Sequence, residues 1–453
     1  MRRTAARESA RFVMGVRGGP PAVASSGLAS PAVPAIGAGT PAPFGLTAAH
    51  FAAALAFLVV GAAGVVWVAP DLAAGHYLMP RVAAVTHLFT LGWITTSIMG
   101  ALYQLFPVVL GTGIPSFRAG YAALALYAPG LVLLAAGLAA GVAALLLTGA
   151  VLLAAGLLVF LANAGTGLVR ALNRDATWWT LAAAFVFLFV TVALGASLAG
   201  NLRWSFLGAN RLVAVAVHMH VALGGWVLLV IVGVARRLLP MFLLSHGADS
   251  RPGRAAALLI GAGAGTLTLF HHGPDRMISV VAPVLLAAGT AAFVVQAALY
   301  VRHANRPRLD PGLRLAMGGI GLLVAALVLG CAGAATRFGS TRLTAAYGVA
   351  LVVGAFTAFV AGHYYKILPF LVWNHRFAGL VGGGRRLPRV ADLFSARTAD
   401  IAGILILAGA AGLAAAVAAG HAPGARAAAA VFCTGAAVLA TQMSGLIRKG
   451  PDT

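Results

Sequence analysis

The segment Thr86-His87-Leu88-Phe89-Thr90-Leu91-Gly92-Trp93, continued through Gly100 to Leu105-Phe106-Pro107, decides the fold because it recurs. The second copy reads His218-Met219-His220-Val221-Ala222-Leu223-Gly224-Gly225-Trp226 and runs through Gly233 to Leu238-Leu239-Pro240. Counted from His87 and from His220, Gly stands at five and thirteen residues and Pro at twenty. A third copy, Val349, Gly354, Gly362 and Ile367-Leu368-Pro369, keeps these spacings with Val in the histidine's place. Pro107, Pro240 and Pro369 lie 133 and 129 residues apart. A repeat of that length predicts three similar multi-helix units.

Composition sets the solvent of those units. The 453 residues are 61% hydrophobic and 9% charged, with a mean hydropathy of +0.96. Apolar runs of about 18 residues or more read as membrane-spanning helices. The net charge of +22 does not indicate nucleic acid. The arginines are confined to the ends and connections of apolar segments, as the positive-inside rule describes, and show no basic face with interleaved aromatics. Cys331 and Cys433 sit inside apolar runs and form no metal or disulfide motif.

Residues 1–46 read as a disordered basic cytoplasmic tail, with Arg2, Arg3, Arg7, Arg11 and Arg17 against the single acid Glu8. Twelve spans follow in residues 47–447, near 47–69, 82–110, 118–139, 142–169, 177–200, 212–243, 255–272, 277–300, 314–335, 343–372, 398–420 and 425–447. Gly141 alone marks the break between the third and fourth. The predicted fold is an all-α polytopic membrane protein of three pseudo-symmetric four-helix units, roughly 47–170, 177–301 and 314–447, embedded in a lipid bilayer. With the N-terminus inside, 24 of the 31 Lys and Arg residues fall on the cytoplasmic side. That asymmetry predicts cytoplasmic N- and C-termini in a bacterial inner membrane.

Seven of the twelve histidines, His76, His87, His218, His220, His271, His272 and His421, fall on the outer half. Neutral imidazole ligates haem iron and copper, and a polar side chain at membrane depth needs a partner. At about 100° per residue His218 and His220 point to nearly opposite sides of their helix, so they serve different sites. The repeat glycines fall away from the reference histidine, on a face that lets a neighbouring backbone approach closely. Arg81, Arg211 and Arg342 stand just outside the three repeat helices, where a guanidinium either pairs with haem propionates or reaches lipid headgroups. Each histidine also has a plain reading, a hydrogen bond to a neighbouring carbonyl or to water. None of the nine acids lies well within a span, which argues against proton pumping.

Taken together, these residues resemble the catalytic subunit I of the haem–copper oxidase superfamily, and in outline the haem- and copper-containing NnrS family. The resemblance implies twelve spans in three four-helix arcs. It implies a low-spin haem ligand at His87, a copper ligand at His220 and a copper pair at His271 and His272. The string His218-Met219-His220 also resembles that family's His-x-His helix, which binds both haems. Two departures are plain. The family's His-x-His belongs on the tenth span, where this chain has Val349, and no counterpart of its active-site tyrosine stands out. The expected cofactors are haem, held by His87 with His218 or His220, and copper or a second haem at His271, His272 and the remaining histidine of the sixth span. The expected activity is electron transfer or reduction of dioxygen or nitric oxide at the outer face, with a small redox partner or accessory subunit there. Copper or haem handling, and a cofactor-free structural subunit, are the alternatives. The sequence assigns no catalytic residue.

Overall fold

The structure, a computed structural model, describes residues 42–269, 277–305, 308–336, 340–382 and 386–449. Its twelve long helices are α1 (Phe44–Ala73), α2 (Pro80–Leu110), α3 (Phe117–Ala140), α4 (Ala143–Val169), α5 (Ala176–Trp204) and α6 (Gly208–Leu243), then α7 (Arg251–Leu269), α8 (Ser279–Arg302), α9 (Pro311–Ala335), α10 (Thr341–Arg376), α11 (Ala396–Ala419) and α12 (Ala422–Arg448). Eleven of them, all but α7, are long and apolar enough to cross a membrane. No strand occurs among the described residues. The first helix starts at Phe44, so residues 44–46 belong to it rather than to the tail, and residues 1–41 lie outside the described residues. Gly141 caps α3 in the left-handed conformation, φ +70°, which is the break expected between α3 and α4.

Each unit is built the same way, and its polar bonds repeat. The second helix is tied to the start of the first. Gln104 Nε2 donates to Ala42 O at 2.8 Å in the first unit. Arg237 of α6 pairs with Asp175 in the second, and Lys366 of α10 with Asp310 in the third. These two aspartates also cap their helices, accepting from the backbone N–H groups of Thr177 and Trp178 and of Leu313. A carboxylate at a helix N-terminus satisfies free N–H groups and favours the dipole.

The fourth helix is tied to the start of the third by an amide. Asn163 takes Ser116 at both ends, its Oδ1 accepting from the Ser116 N–H at 3.1 Å and its Nδ2 donating to Ser116 O at 2.8 Å. Gln296 Nε2 donates to Asp249 O at 2.9 Å, and Gln442 Nε2 to Ser395 O at 2.9 Å. The sequence separation is 47 residues in all three. Asn163→Leu removes two such bonds. It is expected to destabilise the protein by about 2 kcal/mol, read as a lowered melting temperature in detergent; an unchanged value would show that the clamp contributes nothing.

The repeat glycines face the first helix of their own unit. A Cβ on Gly92 would lie 2.6 Å from Phe57 Cβ of α1, and one on Gly225 2.7 Å from Phe187 Cγ of α5. At Gly362 it would meet Gly312 O at 2.5 Å and Ala316 N at 2.7 Å, both backbone atoms of α9. Side-chain bonds then join the three repeat helices to one another. Trp226 Nε1 donates to Thr95 Oγ1 at 3.1 Å, and the Ser97 and Tyr364 hydroxyls lie 2.8 Å apart. The outer ring closes where α1 packs along α12.

Candidate functional site

Three π-helical turns mark the same level of the bundle: Leu88–Thr95 in α2, Val221–Leu228 in α6 and Val349–Phe356 in α10. Such turns inside longer helices concentrate at functional sites. The widened ladder is partly filled by side chains. Thr96 Oγ1 donates to Leu91 O at 3.0 Å and Thr357 Oγ1 to Val352 O at 2.9 Å, each reaching back five residues. His87 and His220 are the last residues before their π turns.

Both are fixed the same way. His87 Nδ1 is 2.7 Å from Ala83 O, and His220 Nδ1 is 2.8 Å from Ala216 O. A proton on Nδ1 donated to the carbonyl leaves Nε2 as the free lone pair of a neutral imidazole. The two rings face different neighbours. His87 lies against His218, with ring centroids 6.5 Å apart and planes 25° apart. His220 lies against Tyr347 of α10, with centroids 6.2 Å apart and planes 13° apart. The opposite directions expected for His218 and His220 are thus realised as two separate pairings.

Glycine makes room for this layer. Val85, His218 and Tyr347 each stand two residues before the reference position of their repeat. Each packs on a glycine of the unit's first helix. A Cβ on Gly64 would meet Val85 at 2.8 Å, one on Gly195 would meet His218 Cε1 at 3.1 Å, and one on Gly330 would meet Tyr347 at 3.2 Å. His218 Nδ1 is buried and has no hydrogen-bond partner. Tyr347 is the residue that sequence reasoning passed over, although its place in the third repeat copy matches that of His218.

Of the three arginines outside the repeat, Arg81 is committed to an ion pair. Arg81 grips Asp71 at the end of α1 with Nε–Oδ2 at 2.6 Å and Nη2–Oδ1 at 2.5 Å. The Arg342 guanidinium lies over Gly420, at the turn between α11 and α12. Arg211 is exposed. His271 and His272 lie outside the described residues. His421 caps α12, its Nδ1 accepting from Gly424 N at 3.2 Å. The described residues contain no group of three or more His, Cys, Asp or Glu able to hold a metal ion.

The histidines of the opposite end do not converge. His363 packs between Phe359 and Phe242, His375 stacks on Phe44, and Lys366 is spent on Asp310.

The arrangement of helices has a parallel among solved structures. The chain is similar to a haem–copper terminal oxidase determined by cryo-electron microscopy as a dimer. The TM-score is 0.66 over 89% of this chain and 84% of that one, at 13% sequence identity. The fold is that of a haem–copper terminal oxidase. No family model matches the sequence, and no curated protein matches it. The oxidase-like fold thus rests on three-dimensional arrangement, with the repeat helices α2, α6 and α10 carrying the histidine layer.

One ring spacing in that layer matches that of two imidazoles on one metal ion. Two imidazoles that ligate one ion from opposite sides, at about 2 Å each, have ring centres about 6 Å apart. The His87–His218 separation is 6.5 Å. His220 brings a single nitrogen donor, and its described ring neighbour is a phenol.

Proposed function

We propose that the chain is a haem-binding redox protein of the membrane, with His87 and His218 as the residues that would hold the haem. The observation that carries this reading is the His87–His218 ring pair at 6.5 Å, on two different repeat helices. It is supported by the oxidase-like fold and by the π turns beside the histidines. Bound haem iron would supply one-electron chemistry.

The chain's own residues do the rest. The Ala83 carbonyl orients His87 and keeps its Nε2 unprotonated. Gly195 leaves the space into which His218 fits. Trp93 and Trp226, both fully buried one turn and a half further along α2 and α6, keep water from the layer. In this reading copper belongs to His220 with His271 and His272, and the activity is electron transfer or reduction of dioxygen or nitric oxide. The histidine end faces outward from a bacterial inner membrane, where a small redox partner would dock, with the Lys- and Arg-rich ends of the helices in the cytoplasm.

The test is the visible spectrum of the protein purified in detergent, oxidised and dithionite-reduced, with iron and copper measured on the same sample. Sharp reduced bands with about one iron or more per chain are expected for haem ligated by two imidazoles. A colourless protein without iron, from cells able to make haem, would overturn the reading.

A further inference from the structure

At the end of the bundle that carries the start of α1, the repeat places Tyr103, Arg236 and Tyr365 at one position. All three bury polar atoms that lack a hydrogen-bond partner: the two phenolic hydroxyls, and Nε and Nη1 of Arg236. One water satisfies a phenol. A guanidinium is a different demand, with a full charge and several donors fixed in one plane.

No hydrogen bond from the described residues meets that demand at Nε or Nη1, although the Tyr300 phenol stands near the guanidinium. Arg236 lies over the start of α7, where a Cβ on Gly253 would be 3.3 Å from its Nη1 and 3.0 Å from Gln296 Oε1. That Gln296 oxygen already accepts from Gly253 N at 2.8 Å. Asp249 Oδ1 accepts from Arg251 N at 2.9 Å, and Asp175 is paired with Arg237. The first N–H groups of α7 are therefore in use, and any further ligand would be held by side chains. Arg251 and Arg254 stand exposed in the first turn of α7, and Arg302 stands exposed at the end of α8. The second unit has a cation where its sisters have phenols, pairs it with no carboxylate among the described residues, and adds positive charge around it.

We propose that Arg236 is the seat of an oxyanion site, taking a phosphate group on its guanidinium, with Arg254 contributing charge at the rim. The phosphate is either that of an anionic lipid at the membrane boundary or one free in solution, and the two sources are separable.

The experiment uses the full chain, delipidated in detergent. Native mass spectrometry measures retention of phosphatidylglycerol against phosphatidylcholine. Thermal unfolding is measured in inorganic phosphate against chloride at matched ionic strength. Wild type is compared with Arg236→Tyr, which installs the sister residue, and with Arg254→Gln on the surface. The expected result is preferential retention of phosphatidylglycerol, or a melting temperature raised by phosphate. The tyrosine variant should lose about tenfold or more of it and Arg254→Gln a smaller share. Phosphatidylglycerol alone acting identifies a headgroup, and inorganic phosphate alone acting identifies a free anion. If the tyrosine variant does not fold, Arg236→Gln takes its place with the same expectation. The proposal is overturned if wild type discriminates neither probe from its control, or if removing the guanidinium leaves the discrimination unchanged.

Discussion

His218→Ala is expected to abolish the haem absorbance, and His87→Ala to do the same, while His220→Ala leaves the reduced bands in place. The reason is the pairing of rings. His87 and His218 face one another across 6.5 Å, whereas His220 turns to Tyr347. If these histidines hold the haem, one lost at membrane depth would have no water to take its place, so the effect is near-complete loss rather than a small shift. The measurement is the reduced-minus-oxidised spectrum of each variant, normalised to protein. Loss in His220→Ala with retention in His218→Ala would reverse the assignment, and His220 would become the partner of His87. Haem retained in all three variants would exclude this layer as its site.

Gly362→Ala carries the largest expected structural cost of the three equivalent repeat glycines, Gly100, Gly233 and Gly362. Its new Cβ would meet the backbone of α9, Gly312 O at 2.5 Å and Ala316 N at 2.7 Å, and a backbone cannot turn aside as a side-chain end can. Overpacking a closed interface costs about 3 kcal/mol at the upper end of its usual range. The sister positions grade the effect. Gly100 would meet His50 Cβ at 2.8 Å, and Gly233 would meet nothing closer than Thr180 Cγ2 at 3.3 Å. Damage should therefore fall in the order Gly362, Gly100, Gly233. Gly261 of α7 has nothing within 4 Å of the added carbon. Gly261→Ala should stabilise by up to about 1 kcal/mol through helix propensity. Melting temperatures of the four variants in one detergent check the series. A Gly362→Ala protein as stable as wild type would mean that α9 and α10 do not touch where their backbones are placed.

The twelve helices were legible, though α7 falls short of the span expected at 255–272, because length and hydropathy are local properties, and a bilayer leaves a helix no alternative to internal hydrogen bonding. The predicted ends differ from the observed ones by a few residues, as at Phe44 against residue 47 and Arg376 against residue 372. The repeat of His, Gly, Gly and Pro was equally legible, and its glycines lie where close helix approach requires them. The amide clamps escaped notice. Asn163, Gln296 and Gln442 are unremarkable until each is seen 47 residues from the backbone that it holds. Tyr347 escaped for a similar reason, since a tyrosine in an apolar stretch carries no motif of its own.

The sequence by itself determined the membrane class, the threefold repeat and the fact that His218 and His220 must look in opposite directions, because helical periodicity alone sets that angle. Only the tertiary structure decided what each one faces. The sideways placement of α2 against α6 and α10 is fixed by bonds such as Trp226 to Thr95, between residues 131 apart, and Ser97 to Tyr364. Such contacts arise from packing across the bundle, which leaves no signature in the local periodicity of any one helix.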